Sequence, residues 1–262
     1  MTKERITMTS VKRYTMVLGL AVAFLVATNV RAEFLGISDT NTYQDNVNLY
    51  QLFNNYFSGQ LGSEGSYGSS NDLYAARGVD PMTTWTTNGS QMVGAFKVAA
   101  LGHALSVSDS EGNNLGSFTH YGGTEGIGGG LDAITDLGGQ NLINIPDGRN
   151  IHFQLDADWY GAHQFTWSSN PDANSDGQIH MLAFDITDLY NAKHGTENAS
   201  VYMFAWEDLP QFGGVPADWD YQDFVVIMTN LKPDNSTPEP ATLVVLGLGL
   251  AGLGLARRRM TK

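Results

Sequence analysis

The sequence predicts a mainly β protein, built as one antiparallel β-sandwich or jelly-roll-like domain. Eight short segments rich in aromatic and β-branched residues follow one another between residues 92 and 231, and Gly, Asn or Asp separates them. This spacing is typical of antiparallel strands rather than of parallel βαβ units. The turns agree, because Gly or Asn occupies the connections EGNN, PDGRN and NSDGQ.

The first 32 residues carry the features of a secretory signal peptide. Basic residues precede an apolar run over residues 14–26, and the small-residue pattern V-R-A follows at residues 30–32. This layout predicts an N-terminal signal helix that is removed by cleavage after Ala32. The alternative is a retained membrane anchor over residues 16–30, which the short apolar run disfavours.

Residues 33–80 form a polar N-terminal segment with little periodicity. Apolar side chains recur at helical spacing between Leu49 and Phe57, which predicts a short amphipathic helix over residues 45–57. The Gly/Ser run from residue 58 to residue 70 predicts a flexible loop.

Residues 81–233 hold the predicted β-sandwich. Residues 201–206 and 224–228 are apolar on both faces, so we expect these two strands to be central and covered on each side. The segment that starts at Ile151 alternates apolar and polar residues, which predicts a strand with one face toward water.

The C-terminal residues combine three features in order. Residues 234–240 are a linker that ends in Pro-Glu-Pro, residues 241–256 carry no charge and predict a transmembrane helix, and residues 257–262 are a basic cytoplasmic tail. This order resembles the PEP-CTERM sorting tail of Gram-negative bacteria. The resemblance implies transient membrane insertion, recognition by an exosortase in the inner membrane, and delivery to the cell surface or extracellular matrix. The sorting-motif residues are Pro238, Glu239, Pro240, Arg257, Arg258 and Arg259.

The charge of the central part of the chain limits its partners. The whole sequence has 14 basic and 27 acidic residues, a formal net charge of −13. Nine of the basic residues lie in the terminal segments, so residues 33–240 carry 26 acidic and five basic residues, a formal charge of −21. Such a surface repels nucleic acid and anionic lipid and attracts divalent cations. The absence of cysteine excludes disulfides and thiolate ligands.

Five acidic residues cluster in the stretch WEDLPQFGGVPADWDYQDF, between two apolar segments. If the flanking strands pair as a hairpin, Glu207 and Asp208 lie opposite the D-x-D segment. The two carboxylates of that segment, Asp218 and Asp220, point to the same side of an extended chain. Ca²⁺ binds several oxygen ligands, and carboxylates at one sheet edge would supply them. Mg²⁺ requires a stricter geometry and fits such a site less well. The alternative is a solvated acidic turn, but the number of acidic residues favours a cation. The predicted ligands are Glu207, Asp208, Asp218, Asp220 and Asp223.

The same region resembles the closing motif of an acidic β-domain of unknown function that recurs in bacterial surface and PEP-CTERM proteins, F-x-E-D-L followed by D-x-D-[YF]-N-D. The resemblance extends over residues 148–231, and upstream it includes Asp176, Gly177 and His180 in a D-G-x-x-H strand. Gln222 stands where the family usually has Asn and keeps the amide carbonyl. The resemblance implies a shared site without saying what the site does.

A second candidate calcium loop is PDANSDGQIH, which has the D-x-N-x-D-G order of the first half of an EF-hand loop. The twelfth position is Ala183, so the bidentate Glu is missing. The loop is therefore either a β-hairpin calcium turn completed by Asp156 or Asp158, or an Asp-Gly turn. Its candidate ligands are Asp172, Asn174 and Asp176.

These features predict an exported cell-surface or extracellular-matrix protein with a calcium-binding β-sandwich, used structurally or in exopolysaccharide and biofilm association. The alternative is a secreted polysaccharide-acting hydrolase that uses Glu207 and Asp220 as a carboxylate pair. The enzyme is the less favoured interpretation, because the sequence holds neither H-E-x-x-H nor G-x-S-x-G. His180, beside an apolar strand, is expected to be a structural histidine.

Overall fold

Ten strands of the described residues join in one antiparallel sheet. The computed structural model describes residues 34, 36–39, 47–61, 66–97, 101–120, 143–159, 163–211 and 217–234. The strands are β1 Gly78–Val79, β2 Thr84–Lys97, β3 Gly102–Asp109, β4 Asn114–His120, β5 Asn144–Ile145, β6 Asn150–Trp159, β7 His163–Ser168, β8 Met181–Asp185, β9 Val201–Trp206 and β10 Phe224–Asp234. The helices are α1 Leu49–Tyr56, α2 Ser70–Arg77 and α3 Thr187–His194, with a 3₁₀ turn at Pro171–Ala173.

The strand order shows that the sheet folds back on itself. The order is β1-β8-β9-β10-β2-β6-β3-β4, with β5 paired to β2 and β7 paired to β6. Strands β6 and β9 are three positions apart in this order, which in a flat sheet is about 14 Å at 4.7–4.9 Å per strand. Yet the rings of Phe153 on β6 and Phe204 on β9 have centroids 4.8 Å apart. The two halves therefore face each other, which is consistent with the predicted β-sandwich.

The central strands β9 and β10 are buried on both faces, as their apolar sequences predict. Alternate residues of β9 enter two different cores, because successive side chains of a strand point to opposite faces. Phe204 lies in the core between the two halves of the sheet, with Trp85 and Phe153. Met203 lies in the other core, where Phe53 of α1 is one of the residues that cover the sheet.

The predicted alternation of β6 is confirmed. Ile151, Phe153 and Leu155 are buried, whereas Gln154 is exposed and Asp156 is partly exposed. One face of β6 therefore packs on the core and the other meets solvent, as the period of two requires.

The predicted N-terminal helix is confirmed, with a later start. α1 begins after Asn48, whose backbone N–H donates to the Gln51 side chain (2.9 Å). This hydrogen bond is one half of a capping box, a motif that sets the start of a helix. The buried face of α1 is formed by Leu49, Leu52 and Phe53, so the polar N-terminal segment contributes core residues to the fold.

Two helices, α2 and α3, have no counterpart among the predicted elements. α2 starts at the end of the Gly/Ser run, where the Ser69 hydroxyl caps the helix by accepting from Asp72 N–H (3.1 Å). α3 ends at Gly195, whose φ of 63° is the left-handed conformation common at helix C-termini. Both helices are short and weakly amphipathic, so the hydrophobic periodicity that identified α1 is missing.

The predicted signal helix, transmembrane helix and basic tail lie outside the described residues. Within the part of the chain that the structure describes, no helix is long and apolar enough to cross a membrane.

Candidate metal centre

The five acidic residues of the candidate site meet where the β9–β10 hairpin ends. The hairpin expected from the sequence is confirmed, since Trp206 of β9 pairs with Phe224 of β10. Glu207 therefore leaves one strand where Asp223 enters the other. The connecting loop is closed at its base by a hydrogen bond from Ala217 N–H to the Pro210 carbonyl (3.0 Å).

The carboxylates form two groups that share Glu207. One group joins Glu207, Asp208 and Asp223, and the other joins Glu207, Asp218 and Asp220; within each, one oxygen per residue lies within 4.8 Å of the others. Glu207 is 0% exposed and Asp220 is 2% exposed. The structure thus brings together all five predicted ligands, mostly out of contact with water.

The D-x-D segment reaches the site by an unexpected backbone conformation. The sequence predicted an extended segment in which Asp218 and Asp220 point to one side. Instead, Trp219 and Tyr221 have φ values of 60° and 56°, in the left-handed region that bulky side chains rarely adopt. This conformation costs on the order of 1–2 kcal/mol per residue. The carboxylates converge because of this distorted turn, not because of strand alternation.

Contacts with the rest of the fold hold these two aromatic residues in place. The Tyr221 hydroxyl donates to the Ile179 carbonyl (2.7 Å), and the Tyr221 side chain is buried. The Trp219 carbonyl accepts from Ser38 N–H (2.8 Å). The N-terminal segment therefore helps to fix the geometry of the acidic cluster.

Several carboxylate oxygens accept hydrogen bonds from nearby backbone and side-chain groups. Leu209 N–H donates to Glu207 Oε1 (3.1 Å), and Asp208 N–H donates to Asp223 Oδ2 (2.9 Å). His103 Nε2 lies 2.8 Å from Asp208 Oδ2, with both side chains buried. These contacts orient the carboxylates.

Two buried oxygens of the cluster accept no hydrogen bond within the described residues: Glu207 Oε2 and Gln222 Oε1. The Gln222 amide lies in the cluster, because its Nε2 donates to Asp220 Oδ2 (2.6 Å). A buried acceptor without a partner costs about 1–3 kcal/mol. Both oxygens are of the kind that a hard cation binds.

The cluster changes the acidity of its members. The pKa of Glu207 is raised well above its ordinary value of 4.5, first by burial and then by the neighbouring carboxylates of Asp218, Asp220 and Asp208. The pKa of Asp223 is likewise raised well above 3.8, by burial and by Asp208. Without a cation, Glu207 and Asp223 therefore keep their protons to a higher pH than free carboxyl groups do, and a bound cation would displace those protons.

His180 is a buried histidine with partners on both ring nitrogens, as expected for a structural residue. Nδ1 lies 2.9 Å from the Glu207 carbonyl and Nε2 lies 2.9 Å from Asp176 Oδ2. Both partners accept, so the ring donates from both nitrogens when both bonds form. The ring also stacks on Trp167 at 3.6 Å, with 2° between the planes. Trp167 Nε1 donates to the Asp208 carbonyl (2.8 Å), which ties this stack to the backbone of the acidic cluster.

His103 is the residue of the site that sequence reasoning missed. It lies on β3, 105 positions from Asp208, and stands in no motif. Its only signal is its position in a strand whose alternate residues are buried, which does not identify a partner.

The residues of the second candidate loop form hydrogen bonds within the protein. The Asn174 side chain bonds the backbone of Ser168 and Gln178. Asp176 accepts from Gln178 N–H (3.0 Å) as well as from His180, and Asp172 is exposed. Burial is the largest influence on Asp176 and opposes its ionisation. The hydrogen bond and electrostatic attraction of His180, together with the backbone N–H groups of Gln211 and Gln178, outweigh burial and lower the pKa of Asp176.

These bonds form an Asp-Gly turn that supports the His180 side of the acidic cluster. The glycine of the turn has a φ of 68°. Asp172 and Asp176 belong to neither carboxylate group, and calcium binding by this loop stays a prediction.

The comparisons with known proteins identify the tail. Residues 236–259 match the PEP-CTERM protein-sorting motif, which confirms the tail resemblance. This motif indicates an exported surface protein that an exosortase processes at the membrane. No curated protein matches the chain. The resemblance of the closing motif to an acidic β-domain is not confirmed by these comparisons.

Proposed function

We propose that this exported surface protein binds Ca²⁺ at the carboxylates of Glu207, Asp208, Asp218, Asp220 and Asp223, and that the cation locks the β9–β10 end of the sandwich. The observation that carries the proposal is the burial of four of these five acidic residues, Glu207, Asp208, Asp220 and Asp223, together with Glu207 Oε2, an oxygen that accepts no hydrogen bond within the described residues.

Electrostatic repulsion makes an empty, fully ionised cluster unfavourable. Carboxylate oxygens lie within 4.8 Å of one another in each group. Two like charges at about this distance repel by roughly 3.5 kcal/mol at an effective dielectric constant near 20. A net hydrogen bond contributes only about 1 kcal/mol, so the hydrogen bonds at Glu207 and Asp223 do not offset several such repulsions. Protons or a cation must do so.

The donor set favours calcium among the common cations. All candidate ligands are oxygens, and no cysteine exists to favour a softer metal. Ca²⁺ accepts six to eight oxygens in irregular geometry, which suits a site made from two strand ends and a distorted loop. Export also places the site outside the cytoplasm, where calcium is available.

A structural role suits the position of the site. Bound Ca²⁺ would link Glu207, at the end of β9, with the left-handed turn that holds Asp220 and with the start of β10 at Asp223. It would thereby stabilise the strained conformation of Trp219 and Tyr221, which the calcium-free protein holds by packing and by the hydrogen bonds to Ile179 and Ser38.

The hydrolase interpretation is disfavoured by burial. Glu207 and Asp220 are 0% and 2% exposed, so a glycan cannot approach their oxygens. A general acid or nucleophile must come within hydrogen-bond distance of the substrate. Association with exopolysaccharide or biofilm stays a prediction, because no described surface argues for it.

Calcium titration of thermal unfolding tests the proposal. For the full-length chain in detergent, Ca²⁺ is expected to raise Tm and EGTA to reverse the rise, since a ligand at about 100 times its Kd stabilises by roughly 2.7 kcal/mol. Asp220→Asn is expected to reduce the rise strongly, whereas Asp147→Asn, at an exposed acidic residue, leaves it unchanged. A wild-type Tm that responds to neither Ca²⁺ nor EGTA refutes the calcium site.

A further inference from the structure

We infer that the acidic cluster holds two cations rather than one, with the Glu207 carboxylate shared between them. The first cation lies among Glu207, Asp208 and Asp223, and the second among Glu207, Asp218 and Asp220. The inference rests on the proposed calcium site and specifies its stoichiometry.

The spacing of the carboxylates separates the two positions. Calcium–oxygen distances are about 2.3–2.6 Å, so two ligands of one ion lie at most about 5 Å apart. Among the described residues, the five carboxylates fall into two groups of three that meet this limit, and not into one group of five. Only Glu207 belongs to both groups. A single ion would leave the acidic residues of the other group outside its coordination sphere.

Charge balance leads to the same count. The five carboxylates carry a charge of −5 when all are ionised. One divalent cation leaves −3 in a site that is largely closed to water, and two leave −1. Like charges held close together in a largely closed site repel one another, so a second cation would lower the remaining repulsion between the carboxylates. The contact of His103 with Asp208 lies on the side of the first group.

Two buried oxygens without a hydrogen-bond partner in the described residues, Glu207 Oε2 and Gln222 Oε1, are available as ligands. Glu207 would supply the shared ligand, and Gln222 an additional one. Glu207 Oε1 accepts a hydrogen bond from Leu209, while the buried Oε2 accepts none in the described part of the chain. A carboxylate has about four lone-pair directions, enough to serve a backbone donor and two cations. Gln222 Oε1, also buried and without a partner, lies on the amide that contacts Asp220. It is a neutral oxygen donor beside the second group.

Counting bound calcium tests the inference. Equilibrium dialysis of the full-length protein in detergent against radioactive Ca²⁺ is expected to give two ions per chain. Asp220→Asn and Asp223→Asn are each expected to retain one, because each removes a ligand from a different group. The matched control Asp147→Asn is expected to retain two, since this acidic residue is exposed and lies in neither group. Asp172→Asn, in the Asp-Gly turn, shows whether a counted ion lies in that turn instead.

The outcomes separate the inference from the proposed function. One ion per wild-type chain overturns the shared-carboxylate pair and leaves the calcium site intact. No bound ion overturns both. Two ions, one of which is lost in Asp172→Asn, also overturn the inference, because the second ion then belongs to the Asp-Gly turn.

Manganese gives a second readout that does not depend on the variants folding. Two Mn²⁺ ions joined by one carboxylate are magnetically coupled, and two distant ions are not. We expect the wild-type protein loaded with two equivalents of Mn²⁺ to show a coupled electron paramagnetic resonance spectrum. A spectrum of isolated Mn²⁺ ions overturns the inference.

Discussion

Glu207 is a buried carboxyl group whose neighbours are other carboxyl groups, and its protonation changes the free energy of unfolding. The raised pKa values of Glu207 and Asp223 mean that the folded state binds these protons more tightly than the unfolded state does. The resulting stabilisation is complete below the ordinary values of 4.5 and 3.8 and is lost as pH rises through the higher folded-state values.

The pH dependence of stability is therefore expected to differ between the calcium-free and calcium-bound protein. In EGTA, the free energy of unfolding should fall as pH rises above about 4.5, the ordinary carboxyl value of Glu207. With saturating Ca²⁺ the fall should disappear, because cation binding requires the ionised form. Denaturant unfolding at a series of pH values measures both curves, and parallel curves would contradict the prediction.

A neutral replacement of Glu207 separates repulsion from metal binding. In EGTA near neutral pH, Glu207→Gln is expected to raise the free energy of unfolding by roughly 1–3 kcal/mol, the range for relieving an unsatisfied buried group. With Ca²⁺ the same variant should be less stable than the wild type. Glu197→Gln, at an exposed residue, is the control and should change neither. A Glu207→Gln variant that is less stable in EGTA would contradict the prediction.

At the scale of the secondary-structure element, helix α1 is an integral part of the β domain. Phe53 of α1 is fully buried in the same core as Met203 of β9 and Ile227 of β10. The N-terminal segment also reaches the acidic cluster, through the bond from Ser38 to Trp219. Unfolding of α1 should therefore expose the outer face of the central strands.

Truncation of the α1 anchor tests this coupling. Phe53→Ala is expected to lower the free energy of unfolding by about 3–5 kcal/mol, the usual cost of removing a buried Phe side chain. The matched control Asn55→Ala, at an exposed position of the same helix, should change it by less than about 0.5 kcal/mol. Circular dichroism and tryptophan fluorescence should report one common transition. A small effect, or two separate transitions, would show that the helix folds independently of the sheet.

The bulge in β10 offers a second test at this scale. Asn230 has a φ of 57° and lies at the second register shift of the pairing with β2, between Thr229 and Leu231. Asn230→Ala is expected to cost about 1 kcal/mol, because the polar Asn side chain tolerates the left-handed region better than Ala does, and Asn230→Gly should be close to neutral because Gly adopts this region freely. Urea denaturation measures the free energy of unfolding of both variants. Equal losses of stability would mean that the contacts of the Asn230 side chain, not its backbone conformation, determine the effect.

At the scale of the whole molecule, an acidic exported domain is joined to a sorting tail that ends in a cluster of four of the 14 basic residues. Residues 257–259 are arginines, and residues 33–240 carry only five basic residues. The match at residues 236–259 marks this end as the part that the exosortase recognises. Processing there would leave the strongly acidic domain outside the inner membrane.

Disruption of the sorting motif is expected to stop this processing. With Pro238, Glu239 and Pro240 all changed to Ala, in a host that carries an exosortase, the protein should accumulate as a longer, membrane-bound form. Asn235→Ala, just before the matched residues, should be processed normally. Cell fractionation with immunoblotting distinguishes the two forms. Normal release of the triple variant would contradict the prediction.

Much of the fold and part of the site follow from local patterns in the sequence. The sequence pattern predicts eight of the ten described strands, the two-sided burial of β9 and β10, the alternation of β6 and helix α1, because a side chain's direction repeats with the backbone conformation. It did not predict the two-residue strands β1 and β5 or the first half of β2. The five candidate ligands were identified because acidic residues at adjoining strand ends must meet when the strands form a hairpin. Helices α2 and α3 were missed because their apolar faces are too weak to produce a pattern.

The sequence by itself determined the sorting motif, the acidic composition and the set of candidate ligands, since these depend on residue type and short spacing alone. Only the tertiary structure decided that the carboxylates divide into two groups around Glu207, that Trp219 and Tyr221 turn left-handed, and that His103 contacts Asp208. Those features depend on contacts between residues far apart in the chain and on packing that outweighs local backbone preference, and no spacing in the sequence encodes either.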